Sequence, residues 1–461
     1  MRDFLKKNSL FLLIVALAIA LRLVVIEKVP PSLNWDEISH GYNAYSILKT
    51  GKDEWGVRLP TIFRAYGDYK LPVYIYLTAV SELIFGLSAF SVRLPSILAG
   101  IITVIFTYFL VKKLFNKKAA LLSSFLVAIE PWSFFLSRGA FEANLALAFI
   151  VSGIYLFILG LEKHKYLPIS ALLLGLSVWT VLLALYWQEL TKTWEKNRRP
   201  IIFSLALTFL FLIPMLLQLL APVGRARYGK VSIIDEGAVV QINEKRASSI
   251  YPAILSRLIY NKGTFFAKAF VRNYLSHFSF GFLFTKGGTH YQFSVPGKGL
   301  IYTINILFFL LGLYYLLTNR TRESFLLLIW LLLSVVPSSL TREAPHVLRA
   351  ITMLPVPMIV SALGFFYFLE KTEKLKISRG TLTSIYIILL IVFAQNYFKT
   401  YFSDYRKSYS WAWQYGYKEA VAFSKENYTK YDKIVVTKKY GEPHEFFLFF
   451  WPWEPEEFRE D

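Results

Sequence analysis

Apolar segments of helical length alternate with short polar linkers along most of the chain. A helix needs about 20 apolar residues to cross a bilayer, and most of these segments approach or reach that length. We therefore predict an all-α polytopic membrane protein with about 10 to 11 transmembrane helices and extracytoplasmic loops. The clearest spans are 9–26, 93–112, 118–136, 144–161, 167–188, 200–220, 299–317, 324–340, 349–369 and 381–398.

Basic residues cluster in the linkers and predict the orientation, because cytoplasmic linkers are enriched in lysine and arginine. With the N-terminus in the cytoplasm, the first two clusters also lie inside only if an eleventh apolar segment, 71–87, does not cross. That segment is short, is bounded by Pro72 and Gly86 and contains Glu82. We expect it to lie along the outer interface as an amphipathic helix. The clusters are Lys112, Lys113, Lys117 and Lys118; Lys163 and Lys165; Lys196, Arg198 and Arg199; Arg320 and Arg322; and Lys371, Lys374, Lys376 and Arg379.

The region between 163–165 and 192–199 does not fit this topology. Both of its ends have cytoplasmic character, yet only about 25 residues separate them, and two crossings need about 17 residues each. Either the charge rule fails here or the region is a shortened, distorted helical hairpin.

The polar regions divide the chain into a transmembrane domain, 1–398, and a small extracytoplasmic domain, 399–461. Two long loops of the first domain, 27–92 and 221–298, are predicted to face outward. They are the places where an extracytoplasmic site can form, since loops carry function disproportionately.

Local patterns predict short elements in these outer regions. The second loop contains two candidate helices, 252–261 and 264–276. In the C-terminal domain, Tyr417–Asn427 has helical spacing and Lys433–Thr437 reads as a strand, so we expect a small α/β appendage. Its aromatic run Phe446–Trp451 is predicted to lie at headgroup level on the membrane surface. The appendage either binds acceptor or is a packing module.

Composition and charge exclude several other classes. Of the 461 residues, 55% are hydrophobic and 18% are charged, which is too little charge for a soluble protein of this length. The net charge of +20 comes from short clusters between apolar segments, which fits anionic lipid headgroups and predicts no nucleic-acid partner. Cysteine is absent, which excludes disulfides and thiolate chemistry. The lack of a glycine-rich nucleotide fingerprint disfavours a nucleotide-sugar donor.

Two adjacent carboxylates follow the first predicted span. Asp36 and Glu37 lie a few residues past the membrane exit, where they must be solvated or paired with cations. Asp68 and Lys70 follow in the same loop. A solvated loop with incidental charges is one interpretation, and an active-site loop on the membrane surface is the other.

The predicted topology brings further charged residues to the same side. Snorkelling at a helix end explains each arginine taken singly, but their convergence predicts one outward-facing site of mixed charge. Few ionisable residues lie at mid-helix depth, which argues against a transporter or pump. The additional members are Arg93, Glu130, Arg138, Glu142, Arg342, His346 and Arg349.

An ordered set of motifs resembles the C-superfamily glycosyltransferases, and more closely their branch of protein O-mannosyltransferases and aminoarabinose transferases. Each motif alone is weak, but the set covers nearly the whole chain. The motifs are Asn34-Trp35-Asp36-Glu37, Asp68-Tyr69-Lys70-Leu71-Pro72-Val73-Tyr74, Ser91-Val92-Arg93-Leu94-Pro95-Ser96, Ser137-Arg138-Gly139-Ala140-Phe141-Glu142-Ala143-Asn144 and Pro345-His346-Val347-Leu348-Arg349-Ala350.

This resemblance implies transfer of a sugar from a polyprenyl-phosphate carrier to an extracytoplasmic acceptor at the plasma membrane. The acidic pair Asp36 and Glu37 matches the catalytic pair of such enzymes, with Asp36 as the general base. Lys70 and Arg93 match residues that bind the carrier phosphate. The remaining predicted substrate-binding residues are Arg138, Glu142, His346, Arg349, Asp68 and His290.

The chemistry makes sense independently of the resemblance. A lipid phosphate is a good leaving group and needs positive charge to hold it rather than an acid to protonate it. Substitution at an anomeric carbon has an oxocarbenium-like transition state, which a nearby carboxylate stabilises. A single displacement needs one base. The sequence therefore predicts inversion, with Asp36 as that base.

Several alternatives stay open. The chain is alternatively a transferase of a larger lipid-linked glycan or, in a different class, a lipid flippase or transporter. The predicted partners are a polyprenyl-phosphate sugar, membrane lipids and a protein, lipid or glycan acceptor. No cofactor is predicted. A divalent metal site is an open alternative, because Glu37 and His40 share a helix face, but no further ligand spacing supports it. His290 follows glycines that permit close approach to a ligand, or it lies in a flexible surface turn.

The chain departs from the family pattern after Gly175-Leu176-Ser177-Val178-Trp179-Thr180. Relatives continue there with an outer turn that contains aromatic and histidine residues, and then with a full helix. Here an apolar run, 181–187, follows directly. The departure coincides with the misfit in charge distribution, and both indicate a missing half-hairpin.

Overall fold

Helices form most of the chain in a computed structural model, which describes residues 2–65, 68–177, 198–220, 229, 231–372 and 378–460. The prediction of an all-α polytopic membrane protein is confirmed. Within the described ranges, five helical segments are long and apolar enough to cross a membrane: Ala89–Leu114, Glu142–Glu162, Arg322–Ser339, Ile351–Lys371 and Arg379–Ser408. Shorter apolar helices are Asn8–Leu23, Pro72–Phe85, Arg199–Leu210 and Thr303–Thr318.

The elements follow one another in a simple order. The N-terminal half contains α1 (Arg2–Leu23), α2 (Trp35–Thr50), β1 (Phe63–Ala65), β2 (Asp68–Lys70), α3 (Pro72–Phe85), α4 (Ala89–Leu114), α5 (Lys117–Ile129), α6 (Pro131–Leu136), α7 (Glu142–Glu162), α8 (Leu167–Ser177) and α9 (Arg199–Leu220). The C-terminal half contains α10 (Glu236–Ala247), α11 (Ala253–Ile259), α12 (Lys262–Ser276), α13 (Ile306–Thr318), α14 (Arg322–Leu333), α15 (Val336–Ser339), α16 (Val356–Lys371), α17 (Arg379–Lys399), α18 (Tyr417–Asn427), α19 (Pro443–Phe450) and α20 (Pro455–Glu460).

The core of the bundle is apolar and tightly packed. Helix α13 packs on α16 so closely that a Cβ on Gly312 or Gly364 would overlap the backbone of the other helix. Small residues permit such close helix approach in membranes. In the other half of the molecule, α4 packs between α5 and α7.

Both ends of α3 lie on the side of the bundle that carries Asp36. Lys70, just before α3, contacts Asp36, and Arg93, in the first turns of α4, contacts Glu37. The helix packs on α2 and α4, and Tyr74 donates a hydrogen bond to the carbonyl of Val92. The prediction that 71–87 lies along the interface without crossing stays a prediction.

The predicted hairpin between 163 and 199 lies largely outside the described residues, since 178–197 are not among them. Within the second outer loop, the two candidate helices are present as α11 and α12. A third helix in that loop, α10, is an element that the sequence pattern did not predict.

The C-terminal region is helical, and the predicted strand Lys433–Thr437 is wrong. Its residues are mostly exposed and have no strand partner among the described residues, and an isolated extended segment gains no ladder hydrogen bonds. The aromatic run is also placed differently from the prediction, because Phe446 and Phe449 are buried. Phe449 packs against Gly41 of α2 and occupies the space that a Cβ there would need.

Candidate active site

The first turn of α2 positions the acidic pair. Asn34 caps the helix by accepting a hydrogen bond from the Glu37 amide, and the Glu37 carboxylate accepts one from the Asn34 amide. This reciprocal capping box satisfies two amides that would otherwise lack a partner. Asp36 therefore lies in the first helical turn, where the helix dipole stabilises an anion.

Glu37 and Arg93 form a buried ion pair that joins α2 to α4. The guanidinium donates from Nε to Oε1 at 2.9 Å and from Nη2 to Oε2 at 3.0 Å. Glu37 also accepts from the Ala140 amide at 2.9 Å, which brings in the loop before α7. Both side chains are essentially inaccessible to solvent. The remaining Arg93 donors bind the carbonyls of Ile26, Pro30 and Ser32.

Arg138 has a similar set of partners on the neighbouring side. Its guanidinium is fully buried and lies against the rings of Phe134 and Phe402. The five N–H groups are all engaged, by the Tyr401 hydroxyl and by the carbonyls of Leu21, Arg22, Val24 and Val29.

These geometries leave neither arginine an N–H group for a phosphate. A guanidinium has five donors, and both Arg93 and Arg138 use all five within the protein. The sequence predicted that Arg93 binds the carrier phosphate and that Arg138 contacts substrate. In this structure neither side chain has an N–H group left for such a contact. Both side chains are buried against the carbonyls of residues 21–32, the segment that leads into α2.

Asp36 is the open member of the acidic pair. Its carboxylate accepts a hydrogen bond from the Lys70 ammonium group, and 58% of its side chain is accessible whereas only 10% of Lys70 is. Desolvation by the surrounding protein raises the pKa of Asp36, but the charge and hydrogen bond of Lys70 outweigh it and lower the pKa below its usual value. A lowered pKa keeps the carboxylate ionised and ready to accept a proton.

Lys70 keeps its positive charge because acidic side chains surround it. Desolvation disfavours the ammonium form, but Asp36 first and Glu142 second raise its pKa. His40 lies 3.8 Å from the Glu142 carboxylate, measured from Nε2 to Oε1. Burial and the Lys70 charge hold the pKa of His40 well below its usual value, so this imidazole is neutral.

Two loops complete the rim of this region. His290 stacks on Phe293 with ring centroids 4.3 Å apart, and its ring lies 6.5 Å from that of His346. His346 accepts from the Arg349 amide at 3.2 Å. Burial, followed by the charge of Arg349, lowers the pKa of His346 to about 3, so His346 contributes no positive charge to hold a phosphate.

Arg349 is the partly accessible cation of this rim. Its side chain is 29% accessible and contacts Thr341 and Glu343. Both Arg349 and Asp36 act electrostatically on His290, whose pKa burial lowers. Asp68 lies in β2, and its side chain is outside the described part of the chain.

Glu54 and Glu445 are site residues that the sequence analysis missed. Both are almost fully buried, and each has one carboxyl oxygen, Glu54 Oε2 and Glu445 Oε1, without a hydrogen-bond partner in the described structure. Burial raises the pKa of Glu54 to about 7, with a further contribution from the charge of Asp53. Burial and then the charge of Glu54 raise the pKa of Glu445 well above its usual value. The signal in the sequence was a lone acid, Glu445, within a run of phenylalanines.

This pair predicts that docking of the C-terminal segment weakens as pH rises from about 5 to about 8. The pKa of Glu54 is about 7 in the folded protein, instead of the usual 4.5. Between these two values the folded protein keeps a proton on Glu54 that the unfolded chain has lost. As the pH rises through 7, the folded protein loses this proton and with it the stabilisation. One pKa unit corresponds to about 1.4 kcal/mol, so the expected loss is about 2 to 3 kcal/mol. Hydrogen exchange of α19 at several pH values measures it.

A matched pair of variants tests the assignment. Glu54→Gln should flatten the pH dependence, whereas Glu456→Gln, at an exposed position of α20, should leave it unchanged. An unaltered slope in Glu54→Gln would show that another group is responsible.

The described residues contain no group of three or more histidine or acidic side chains arranged to hold a metal ion. The described side chains offer an ionised carboxylate beside an ammonium group, Asp36 and Lys70, with the guanidinium group of Arg349 at the rim. Such a set can remove a proton from a hydroxyl group and bind an anionic leaving group.

Comparisons with known proteins place this geometry in a family context. Residues 70–218 match the sequence profile of the family described as dolichyl-phosphate-mannose-protein mannosyltransferase. The presumed mannosyltransferase YkcB of Bacillus subtilis (strain 168) is 33% identical over 102 residues, which are 22% of this chain and 14% of YkcB.

Two solved structures share the fold. ArnT from Cupriavidus metallidurans, bound to undecaprenyl phosphate, superposes with a TM-score of 0.56 at 11% identity over 96% of this chain and 84% of ArnT. The oligosaccharyltransferase AglB from Archaeoglobus fulgidus, in complex with an inhibitory peptide and a dolichol-phosphate, gives 0.52 at 16% identity over 92% of this chain and 58% of AglB. The chain therefore shares the fold of ArnT and of the oligosaccharyltransferase AglB.

The C-superfamily resemblance seen in the sequence is thereby confirmed. The proteins that share this fold or sequence are glycosyltransferases. The chain spans 58% of the length of AglB, and the segment that matches YkcB is 14% of that protein.

Proposed function

We propose that this protein is an integral membrane glycosyltransferase that moves a sugar from a polyprenyl-phosphate carrier to an extracytoplasmic acceptor. The observation that carries the proposal is the open, ionised Asp36 paired with Lys70 and fixed by the buried Glu37–Arg93 pair beneath it. The C-superfamily fold supports the reaction class. Undecaprenyl phosphate in ArnT and dolichol-phosphate in AglB support the carrier class.

The proposed mechanism is a single displacement. Asp36 accepts the proton of the acceptor hydroxyl, whose oxygen attacks the anomeric carbon as the bond to the carrier phosphate breaks. The phosphate leaves with the bonding electron pair, and Lys70 and Arg349 bind its charge. Because attack and departure occur on opposite faces, the product has inverted anomeric configuration. Glu37, Arg93 and Arg138 hold the loop that carries Asp36.

The proposed orientation puts this site outside the cytoplasm, at the plasma membrane. Lys112 and Lys113 lie in the last turn of α4 and Lys117 begins α5, at the opposite end of α4 from Arg93. Such separation of basic clusters from the site follows the positive-inside rule.

Mass spectrometry of envelope glycoconjugates and proteins, from cells with and without the chain, tests the function. We expect one class of protein, lipid or glycan to lose a sugar residue when the chain is absent. Purified protein with that acceptor and a polyprenyl-phosphate sugar should then release polyprenyl phosphate. Unchanged glycoconjugates together with no release from any donor would contradict the proposal.

Lys70→Met gives a sharper test of the site. Removing the ammonium group removes the largest effect that opposes the desolvation of Asp36. The pKa of Asp36 should therefore rise, and the acidic limb of the pH–rate profile should move to higher pH. The KM for the donor should also rise, by about tenfold or more, since a charge-assisted contact is lost. Lys418→Met, at an exposed position of α18, is the control. An acidic limb that does not shift in Lys70→Met would contradict the proposal that Lys70 lowers the pKa of the catalytic base Asp36.

A further inference from the structure

A basic recess lies between the helices of the second predicted outer loop, and Asp36 is not among its lining residues. It has a volume of about 460 Å³ and is bordered by α10, α12 and the segment that follows α15. Four of its lining residues are cations that come from these three separate elements: Lys245, Lys268, Arg272 and Arg342.

The charge of the recess is unbalanced. Among the described residues that line it, Asp235 is the one acid, and it is already bound by Arg342 at 2.7 Å and by the Ala238 amide at 2.8 Å. Three further cations therefore converge on one cavity without a lining acid to offset them. Mutual repulsion of these like charges is relieved when an anion binds among them.

The position of the recess sets the depth of its ligand in the membrane. The C-terminal end of α12 packs against the end of the candidate span Arg322–Ser339. His277 contacts the Ser338 hydroxyl at 2.8 Å, and Asn273 donates a hydrogen bond to the Thr341 carbonyl at 2.8 Å. The end of a span is the level of lipid headgroups. The recess therefore opens where phosphates of the bilayer lie.

Exposed apolar side chains lie on α12, which lines the recess, and on the helix that precedes it. Leu275 follows Arg272 by three positions, so both lie on one side of α12, and its side chain is 60% exposed. Ile254 and Leu258 of the preceding α11 are 79% and 65% exposed. Apolar groups beside a basic cavity suit a ligand whose phosphate is attached to acyl or prenyl chains.

We propose that this recess is a second anion-binding site, which takes the phosphate headgroup of a membrane lipid. Lys268 and Arg272 bind the phosphate oxygens, and Lys245 adds charge from α10. The ligand chemistry is a phosphate ester, which a lipid presents at this depth and which a soluble phosphorylated molecule also carries.

Native mass spectrometry of the full-length protein in detergent tests the site with phosphatidic acid as the probe. Phosphatidylcholine, glycerol 3-phosphate and inorganic phosphate form the comparison arms. We expect phosphatidic acid to bind, and the double variant Lys268→Gln/Arg272→Gln to weaken it by about tenfold or more. Arg257→Gln/Lys262→Gln, which removes the same charge from exposed positions of the same loop outside the recess, should bind as the wild type does.

The outcomes separate the sources of the phosphate and the two sites. Equal binding of glycerol 3-phosphate would overturn the lipid assignment, and so would equal binding of inorganic phosphate. Equal loss in both double variants would overturn the site itself. Asp36→Asn should bind phosphatidic acid normally, so failure of the transferase proposal leaves this result intact.

Discussion

Asp36→Asn is expected to lower the rate of sugar transfer by at least about 100-fold while the fold is retained. The amide keeps the shape of the side chain and an oxygen for Lys70 to contact, but it cannot accept the proton of the acceptor hydroxyl. Because more than half of the Asp36 side chain is accessible, the substitution should not perturb packing. Release of polyprenyl phosphate from a defined donor measures the loss.

Two further measurements make this result decisive. Donor binding by Asp36→Asn should stay within about threefold of the wild type, since an uncharged amide does not repel the phosphate. Asp432→Asn, at an exposed position after α18, is the matched control and should be fully active. A flippase or transporter that carries the Asp36→Asn substitution would still move lipid across the bilayer, and that result would contradict the enzyme.

Arg93→Met is expected to destabilise the protein by about 3 to 5 kcal/mol, because it leaves Glu37 charged and buried without its partner. The loss should appear as lower thermal stability in detergent and as poor yield of folded protein. If Arg93 instead bound the donor phosphate, the variant would fold normally and show only a raised KM.

The double variant Glu37→Gln/Arg93→Met distinguishes two causes of the lost stability: the unpaired buried charge of Glu37 and the loss of the hydrogen bonds that Arg93 makes. A glutamine keeps the capping box with Asn34 and carries no charge, so the double variant should regain part of the stability that Arg93→Met loses. Arg349→Met, at a partly accessible rim position, is expected to raise the donor KM with little loss of stability. Equal destabilisation by Arg349→Met would contradict this division of roles.

The motif Asn34-Trp35-Asp36-Glu37 illustrates how far sequence reasoning reached. It located the site and named the carboxylate that the structure leaves open. It did not separate the two acids, because capping and catalysis both favour an acid in a first helical turn. Only the bidentate contact with Arg93 shows that Glu37 has a structural role.

The arginines show a similar division. Arg93 and Arg138 were correctly assigned to the same end of the bundle as Asp36, since span lengths and basic clusters decide which helix ends lie together. Most of their hydrogen-bond partners are backbone carbonyls from α1 and the segment after it. Such carbonyls are present in any sequence, so no residue pattern predicts this contact.

By itself the sequence determined the membrane class, the helical architecture and the outer loop that carries Asp36, because apolar length and local capping act between residues close in the chain. Tertiary structure decided which charges are open and which are buried in pairs. It also decided that Glu445 lies against α2, that 433–437 has no strand partner among the described residues and that cations from three separate elements line one recess. Those outcomes depend on contacts between segments far apart in the chain, whose burial sets the cost of every charge.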